Sequence, residues 1–251
     1  MADTPLSDGQ QDKIRGVFSA QKVIKIGTGT TSRKTVQQSY FYVEEQDNGE
    51  IHVQNLNDEH VPTGPTETID KDELLEKYAP EPEFYQKEVF PKLRDLRKTL
   101  ARADRHRKRG ETFSAEMEYG NALKVDEDNV RANFGIGLCY MERGDTAKAQ
   151  DILDRVVKLD AAFEEQHKHM FNEFGINLRK SKMFEQAVDY YTRAAEFSPK
   201  DENLFYNTGR AYFEMGEYGK AKQSFEKALE INPELQEAAK FLNHMAKKNL
   251  I

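Results

Sequence analysis

The stretch that decides the fold reads YNTGRAYFEMGEY and covers residues 206–218. Its apolar residues follow three- and four-residue spacing, which predicts an amphipathic helix. Gly216 follows the last periodic residue and is expected to end that helix as a C-cap glycine does. Small and aromatic residues recur upstream with a period of 34 residues. A repeat of this length indicates an array of stacked units.

The period defines four units and a terminal helix. Each unit contains two amphipathic helices, and since one unit cannot bury its own apolar face, we expect the units to stack into a solenoid. The units cover residues 96–129, 130–163, 168–201 and 202–235, with an insertion at 164–167 and a capping helix at 236–249. The matching columns are Gly137, Gly175 and Gly209; Ala115, Ala149, Ala187 and Ala221; and Tyr119, Leu153, Tyr191 and Phe225.

This pattern resembles the tetratricopeptide repeat (TPR) family over residues 96–249. The resemblance implies a mainly α fold, a TPR-like α-solenoid of four helix-pair units plus the capping helix. It also implies protein binding rather than catalysis, because the motif consists of packing residues. Three positions depart from the pattern. Arg102 and His106 stand where the family has leucine and tyrosine, and Lys182 stands where the other units have a turn glycine. The apolar stripe of the first helix begins early, so we expect one helix over residues 91–109, opened by Pro91.

The N-terminal third matches no family and differs in pattern. Residues 1–13 are almost free of apolar residues and are expected to be a disordered tail. Residues 14–60 predict a three-stranded antiparallel β-meander, with Asp47-Asn48-Gly49 as a hairpin turn. Two prolines and a glycine predict a loop over residues 57–69, and Asp70 with Glu73 predicts a capped helix at 71–78. We therefore expect two domains: a small N-terminal one of β-meander and short helices over residues 14–90, and the solenoid over residues 91–251.

Composition narrows the function classes. Hydrophobic residues make up 37% and charged residues 32% of the chain, and mean hydropathy is -0.84, which is typical of an elongated fold with much exposed surface. The net charge of -7 argues against a general polyanion binder. The single cysteine, Cys139, excludes an internal disulfide and a cysteine-built zinc site. No apolar run is long enough to span a membrane and no signal peptide is visible, so the expected location is cytoplasmic.

Two features suggest anion binding. Residues 27–35 combine glycines, hydroxyls and two cations, but the spacing is not that of a phosphate-binding loop and a flexible hairpin loop is favoured. The basic helix at 94–109 carries eight cations and two aspartates. It lacks interleaved aromatic residues, which disfavours nucleic acid and leaves internal pairing or an acidic protein partner. No pattern predicts a metal, a cofactor or a catalytic group, and Cys139 is expected to be a buried structural thiol.

The resemblance places the binding surface on the first helix of each unit, which lines a concave groove in the family. Positions 2, 5, 9, 12 and 13 of that helix face the groove. They predict an exposed apolar strip of Phe134, Leu138, Met141, Ile176, Tyr206 and Phe213. The complete predicted groove is Arg131, Phe134, Leu138, Met141, Asn172, Ile176, Arg179, Asn203, Tyr206, Arg210 and Phe213. The clamp residues by which some TPR proteins hold acidic chaperone tails are missing from this pattern.

The predicted function is that of an adaptor or assembly chaperone. The partner would be an apolar or amphipathic segment of another protein, bound in the groove without a cofactor. Three alternatives stay open. The N-terminal segment of the chain itself could fill the groove, the β-meander could pair edge to edge in a homodimer, or the basic helix could bind nucleic acid or another anion.

Overall fold

The computed structural model describes residues 13–26, 33–164 and 167–251. The chain divides into two compact units, Met1–Leu96 and Arg97–Ile251. Residues 1–12 of the predicted tail and residues 27–32 of the predicted anion loop lie outside the described residues. No helix in the described ranges is long and apolar enough to cross a membrane.

The first unit is built on an antiparallel sheet, which in the described residues has five strands in the order β4-β3-β2-β1-β5. The strands are β1 Arg15–Ile26, β2 Arg33–Glu45, β3 Ile51–Leu56, β4 Pro62–Ile69 and β5 Ala79–Pro80. The predicted Asn-Gly turn joins β2 to β3, and Gly49 adopts φ +85° there, a conformation that suits glycine. The three predicted strands are confirmed.

The prediction of a loop over residues 57–69 is wrong, because β4 lies in it. Val53 pairs with Glu67 and Ile51 with Ile69 in the β3–β4 ladder. Pro62 opens the strand, and β4 lies at the edge of the sheet, where a residue without an N–H group can be tolerated. The proline signal therefore marked an edge strand rather than a loop.

A helix covers one face of the sheet and completes a small core. Helix α1, Lys71–Lys77, begins at Asp70, whose carboxylate accepts a hydrogen bond from the Glu73 N–H over 2.8 Å, as predicted. Leu74 of this helix is buried against the sheet. A small sheet needs such a partner to be stable. The core consists of Val43, Ile51, Val53, Ile69 and Leu74.

The helical path continues through Pro91, where the sequence predicted a break before a new helix. A short helix, α2 (Pro82–Phe84), leads into a π-helical turn, Tyr85–Val89, and then into α3, Phe90–Lys108. The Phe90 N–H bonds to the carbonyl of Tyr85, five residues back. The π-helical turn already interrupts the regular backbone hydrogen bonds of the helix. Pro91, which has no N–H group to donate, lies just after this interruption.

The second unit is a solenoid of helix pairs. Each repeat contributes two helices joined by a tight turn, and a final helix closes the array. The helices that follow α3 are α4 Thr112–Val125, α5 Val130–Arg143, α6 Thr146–Val156, α7 Lys168–Lys180, α8 Phe184–Phe197, α9 Glu202–Met215, α10 Tyr218–Ile231 and α11 Gln236–Lys247.

Small residues set the distance between the helices. The four alanines of the predicted column are fully buried, as are the large side chains that follow each by four residues. A β-carbon at Gly175 would lie 2.5 Å from Cζ of Tyr191, and one at Gly209 would lie 2.7 Å from Cε1 of Phe225. Real β-carbons do not come so close to a neighbouring atom, so glycine at these positions allows the paired helices to approach closely.

The ends of the solenoid helices also follow the pattern. Gly144 and Gly216 adopt φ of +76° and +80° after α5 and α9. Lys182 adopts φ +61° after α7, so the third turn keeps the same geometry with a non-glycine residue. The capping helix α11 buries Ala238 and Met245. Of the predicted apolar side of α11, Met245 is confirmed, while Ala238 rather than Ala239 is the buried alanine.

Candidate functional site

The first helices of the repeats, α3, α5, α7 and α9, are linked by side chains on one side, and this side is called the first-helix face below. The groove residues predicted from the sequence lie on three of these helices, α5, α7 and α9. Ion pairs join the first helices of different repeats. Arg131 Nε of α5 donates to Asp104 Oδ2 of α3 over 3.0 Å. Arg107 Nη1 of α3 donates to Glu173 Oε1 of α7 over 3.0 Å.

Arg107 holds the first three repeats together. Its Nη1 also contacts Glu142 Oε1 of α5 at 3.3 Å. Burial alone would lower the pKa of this guanidinium, but the charge of Glu173, its hydrogen bond and the contact with Tyr119 together raise it. Next to it, the Tyr119 hydroxyl donates to Asp104 Oδ1 over 2.5 Å, and burial and this carboxylate raise the pKa of the phenol. Arg107 is therefore charged, and its charge is paired with carboxylates of the fold itself.

The third and fourth repeats are joined in the same way. Arg179 Nη1 of α7 donates to Glu214 Oε1 of α9 over 2.5 Å, and Arg179 is only 8% exposed. Tyr191 of α8 lies under these helices, and burial raises the pKa of its hydroxyl although the nearby charges of Arg179 and Arg210 oppose the rise. The hydroxyl has no hydrogen-bond partner among the described residues.

The prediction that Phe134, Leu138 and Met141 form an exposed strip is wrong. Their exposed fractions are 1%, 3% and 6%. The ring of Phe134 lies 5.3 Å from that of Phe174 in the next repeat, and a β-carbon at Gly137 would lie 2.5 Å from the same phenylalanine. The missing side chain at Gly137 admits Phe174 between the helices. On α5, these groove positions therefore belong to the core.

The apolar surface that is partly exposed lies on α7 and α9. Ile176 is partly buried, as are Tyr206 and Phe213. Phe241 of the capping helix lies against both aromatic residues, with ring centres 6.1 Å from Tyr206 and 5.5 Å from Phe213. The capping helix thus covers one side of the Tyr206 and Phe213 rings. This contact was not predicted from the sequence. The apolar side of α11 was the signal that could have shown it.

Polar residues surround this apolar surface. Arg210 places its guanidinium carbon 5.8 Å from the Tyr206 ring centre and 5.7 Å from that of Phe241. The carbonyl oxygen of the Asn172 side chain is buried and without a hydrogen-bond partner in the described part of the chain. Asn203 is exposed, and its backbone N–H bonds to Asp201 Oδ1 over 3.0 Å. Among these polar residues, Asn172 and Arg210 thus have unpartnered side-chain atoms and Asn203 is exposed.

Three cations of the basic helix, Arg94, Arg102 and Arg107, lie in internal ion pairs. Arg102 binds Glu118 through two nitrogens, at 2.9 and 3.0 Å, and Arg107 binds Glu173. Arg94 Nε lies 3.5 Å from Asp95. His106, the other departure from the family pattern, contacts Glu111. Polar partners thus replace the leucine and tyrosine of the usual repeat, and they reduce the charge that an outside anion would meet.

No group of three or more histidine, cysteine, aspartate or glutamate side chains suited to a metal occurs in the ranges that the structure describes. Cys139 is fully buried, and burial raises the pKa of its thiol to about 12. This confirms the prediction of a structural thiol.

Comparison with known proteins identifies the repeats. Residues 106–168 and 203–235 match models of the tetratricopeptide repeat. A TPR repeat-containing protein of Methanocaldococcus jannaschii is 26% identical over 168 residues, 64% of this chain and 29% of that protein. The BBSome complex member BBS4 of Bos taurus is 28% identical over 49% of this chain and 23% of its own length. The type IV pilus assembly protein PilF of Pseudomonas aeruginosa is 24% identical over 49% of this chain and 48% of its own.

The chain therefore spans less than half the length of these curated relatives. Among solved structures, PilF of Pseudomonas aeruginosa has a TM-score of 0.46 at 20% identity, covering 61% of this chain and 69% of that one. MamA of Desulfovibrio magneticus has a TM-score of 0.47 at 20% identity, covering 61% of this chain and 85% of that one.

Proposed function

Since the C-terminal unit of this chain belongs to the tetratricopeptide repeat family, whose repeats indicate a role in protein–protein interaction, we propose that the chain is a non-enzymatic adaptor or assembly chaperone. It holds an apolar or amphipathic segment of a partner protein on the first-helix face. The cytoplasmic location expected from the sequence is part of the same proposal.

One observation carries this proposal. Ile176, Tyr206 and Phe213 are partly exposed apolar side chains on two neighbouring first helices, and the same face carries unpartnered polar atoms of Asn172 and Arg210. A surface that combines apolar side chains with a few polar groups suits a peptide, because the apolar contacts give affinity and the polar groups fix orientation.

The names of two relatives support the same class of function. One is called a complex member and another a pilus assembly protein. Both names describe proteins that take part in an assembly, and we extend that description to this chain as part of the proposal.

The test is a selection of displayed random 12-residue peptides on the full chain, followed by titration of the enriched peptides. Ile176→Glu places a charge on the apolar surface and is expected to weaken their binding at least tenfold. Thr192→Glu adds the same charge at an exposed position of α8 and serves as the control. Circular dichroism verifies that both variants are folded. Enriched peptides that bind Ile176→Glu as well as the wild type would rule out this face as the binding site.

A further inference from the structure

Arg210 is a positively charged side chain without a counter-ion in the described part of the chain. Its guanidinium lies beside the rings of Tyr206 and Phe241, and its Nε is buried without a hydrogen-bond partner. No carboxylate of the described residues forms an ion pair with it. A partly desolvated charge that lacks a partner costs free energy, while contact with aromatic rings restricts the conformations of the side chain.

The neighbouring groups add donors rather than acceptors. Arg179 is 8% exposed, and it gives one N–H to Glu214 while its Nε has no partner in the described chain. The Tyr191 hydroxyl, also buried and unpartnered, feels the charges of both arginines. The cluster of Arg179, Arg210 and Tyr191 therefore has several donors for the one carboxylate of Glu214.

Apolar side chains lie on the same helical faces as these donors. Tyr206, Arg210 and Phe213 follow spacings of four and three residues along α9, and Ile176 and Arg179 are three apart on α7, so each set shares one side of its helix. A ligand that contacts the donors thus also meets apolar surface.

We propose that the segment bound on the first-helix face is an acidic amphipathic one, whose carboxylate is bound by Arg210, beside Arg179 and Tyr191. An apolar side chain of the same segment packs on Ile176 and Phe213. This inference rests on the proposed function and adds the chemistry of the partner. A planar guanidinium matches a carboxylate through two parallel hydrogen bonds.

A protein carboxylate fits better than a nucleic acid backbone. Binding to a phosphate chain depends on several cations in series. Here the neighbouring cation, Arg179, is already paired with Glu214, and apolar residues border the unpaired Arg210. Charge complementarity is therefore local, on a chain whose net charge is -7.

The experiment uses the peptides enriched on the full wild-type chain. Each of these acidic peptides is compared with a neutral form, in which asparagine and glutamine replace aspartate and glutamate and the C-terminus is amidated. We expect the acidic form to bind at least about tenfold more tightly, as is usual for hydrogen bonds to charged groups. Arg210→Gln is expected to abolish that difference. Arg193→Gln, on α8, removes an arginine that pairs with Asp160 and is expected to preserve it.

Each outcome decides the matter. Equal binding of the acidic and neutral peptides, or an acidic preference that survives in folded Arg210→Gln, would overturn the inference and leave the proposed function standing. Enriched peptides that ignore Ile176→Glu, or no enriched peptide at all, would overturn both. Displacement of the peptides by a synthetic peptide of residues 1–12 would assign the face to the chain's own N-terminus and overturn the assignment to a partner.

Discussion

Arg179 of α7 and Glu214 of α9 form an ion pair between the first helices of the third and fourth repeats, with 2.5 Å between Nη1 and Oε1. The two ends of this pair differ in environment. The arginine side chain is 9% exposed and the glutamate side chain 38%. Loss of Glu214 therefore leaves a buried cation, whereas loss of Arg179 leaves an anion that water can reach.

The first prediction concerns this asymmetry. We expect Glu214→Gln to lower the free energy of unfolding by about 2 kcal/mol, because an uncompensated buried charge is costly. Arg179→Met is expected to cost less, since its long apolar side chain keeps part of the packing and Glu214 is solvated. Urea unfolding of the two single variants and the double variant would measure the coupling. A larger loss for Arg179→Met than for Glu214→Gln would contradict this account.

The second prediction tests the close approach at Gly175. A β-carbon there would lie 2.5 Å from Cζ of the buried Tyr191, so Gly175→Ala should destabilise the chain by about 2 kcal/mol. Gly120 in α4 is the control, because a β-carbon there has no neighbour within 4 Å. Gly120→Ala should instead stabilise the chain by about 0.5–1 kcal/mol, as expected for glycine in a helix interior. Thermal unfolding of both variants is the measurement, and shifts of equal sign would refute the packing argument.

The third prediction concerns Lys182, which adopts φ +61° after α7. A residue with a β-carbon is disfavoured there by about 1 kcal/mol, so Lys182→Gly should stabilise the chain by up to that amount. Lys180 lies in α7 with a helical backbone, and Lys180→Gly should destabilise by about 1 kcal/mol. Calorimetric melting of the two variants compares the same substitution in two backbone conformations. A lower melting temperature for Lys182→Gly would show that the lysine makes a compensating contact.

Much of the fold is predictable from sequence, because each packing position recurs in several repeats and every recurrence supports the same assignment. The glycine and alanine columns follow from spacing alone, whereas Lys182 departs from the glycine pattern and its left-handed backbone was not predicted. The N-terminal sheet has no repeat to support it, and there β4 was missed, because proline signals a loop and an edge strand equally well.

The binding surface was harder to predict, since the family positions do not determine exposure. Phe134 and Leu138 occupy groove positions but are buried, and the reason is a long-range contact between Phe174 and the unsubstituted Gly137. The counter-ions of the face come from other repeats, as with Glu173 for Arg107. Pairings of this kind depend on the stacking of whole repeats and leave no local signal. A homodimer formed through the sheet stays a prediction.

The last prediction uses the single cysteine as a probe of opening. Cys139 lies in α5, fully buried, and burial raises the pKa of its thiol to about 12. The thiolate is the reactive form of cysteine. In the native chain the thiol is inaccessible to the reagent and its thiolate fraction at pH 8 is small. Labelling by a disulfide reagent should therefore be about a thousandfold slower than for the chain unfolded in urea. The rate in the native chain then reports the free energy of opening around the second repeat. Glu214→Gln, which removes the ion pair between the third and fourth repeats, should accelerate labelling in the second repeat only if the solenoid opens as one unit. An unfolded control with full labelling verifies the reagent, and rapid labelling of the native wild type would contradict the buried position of the thiol.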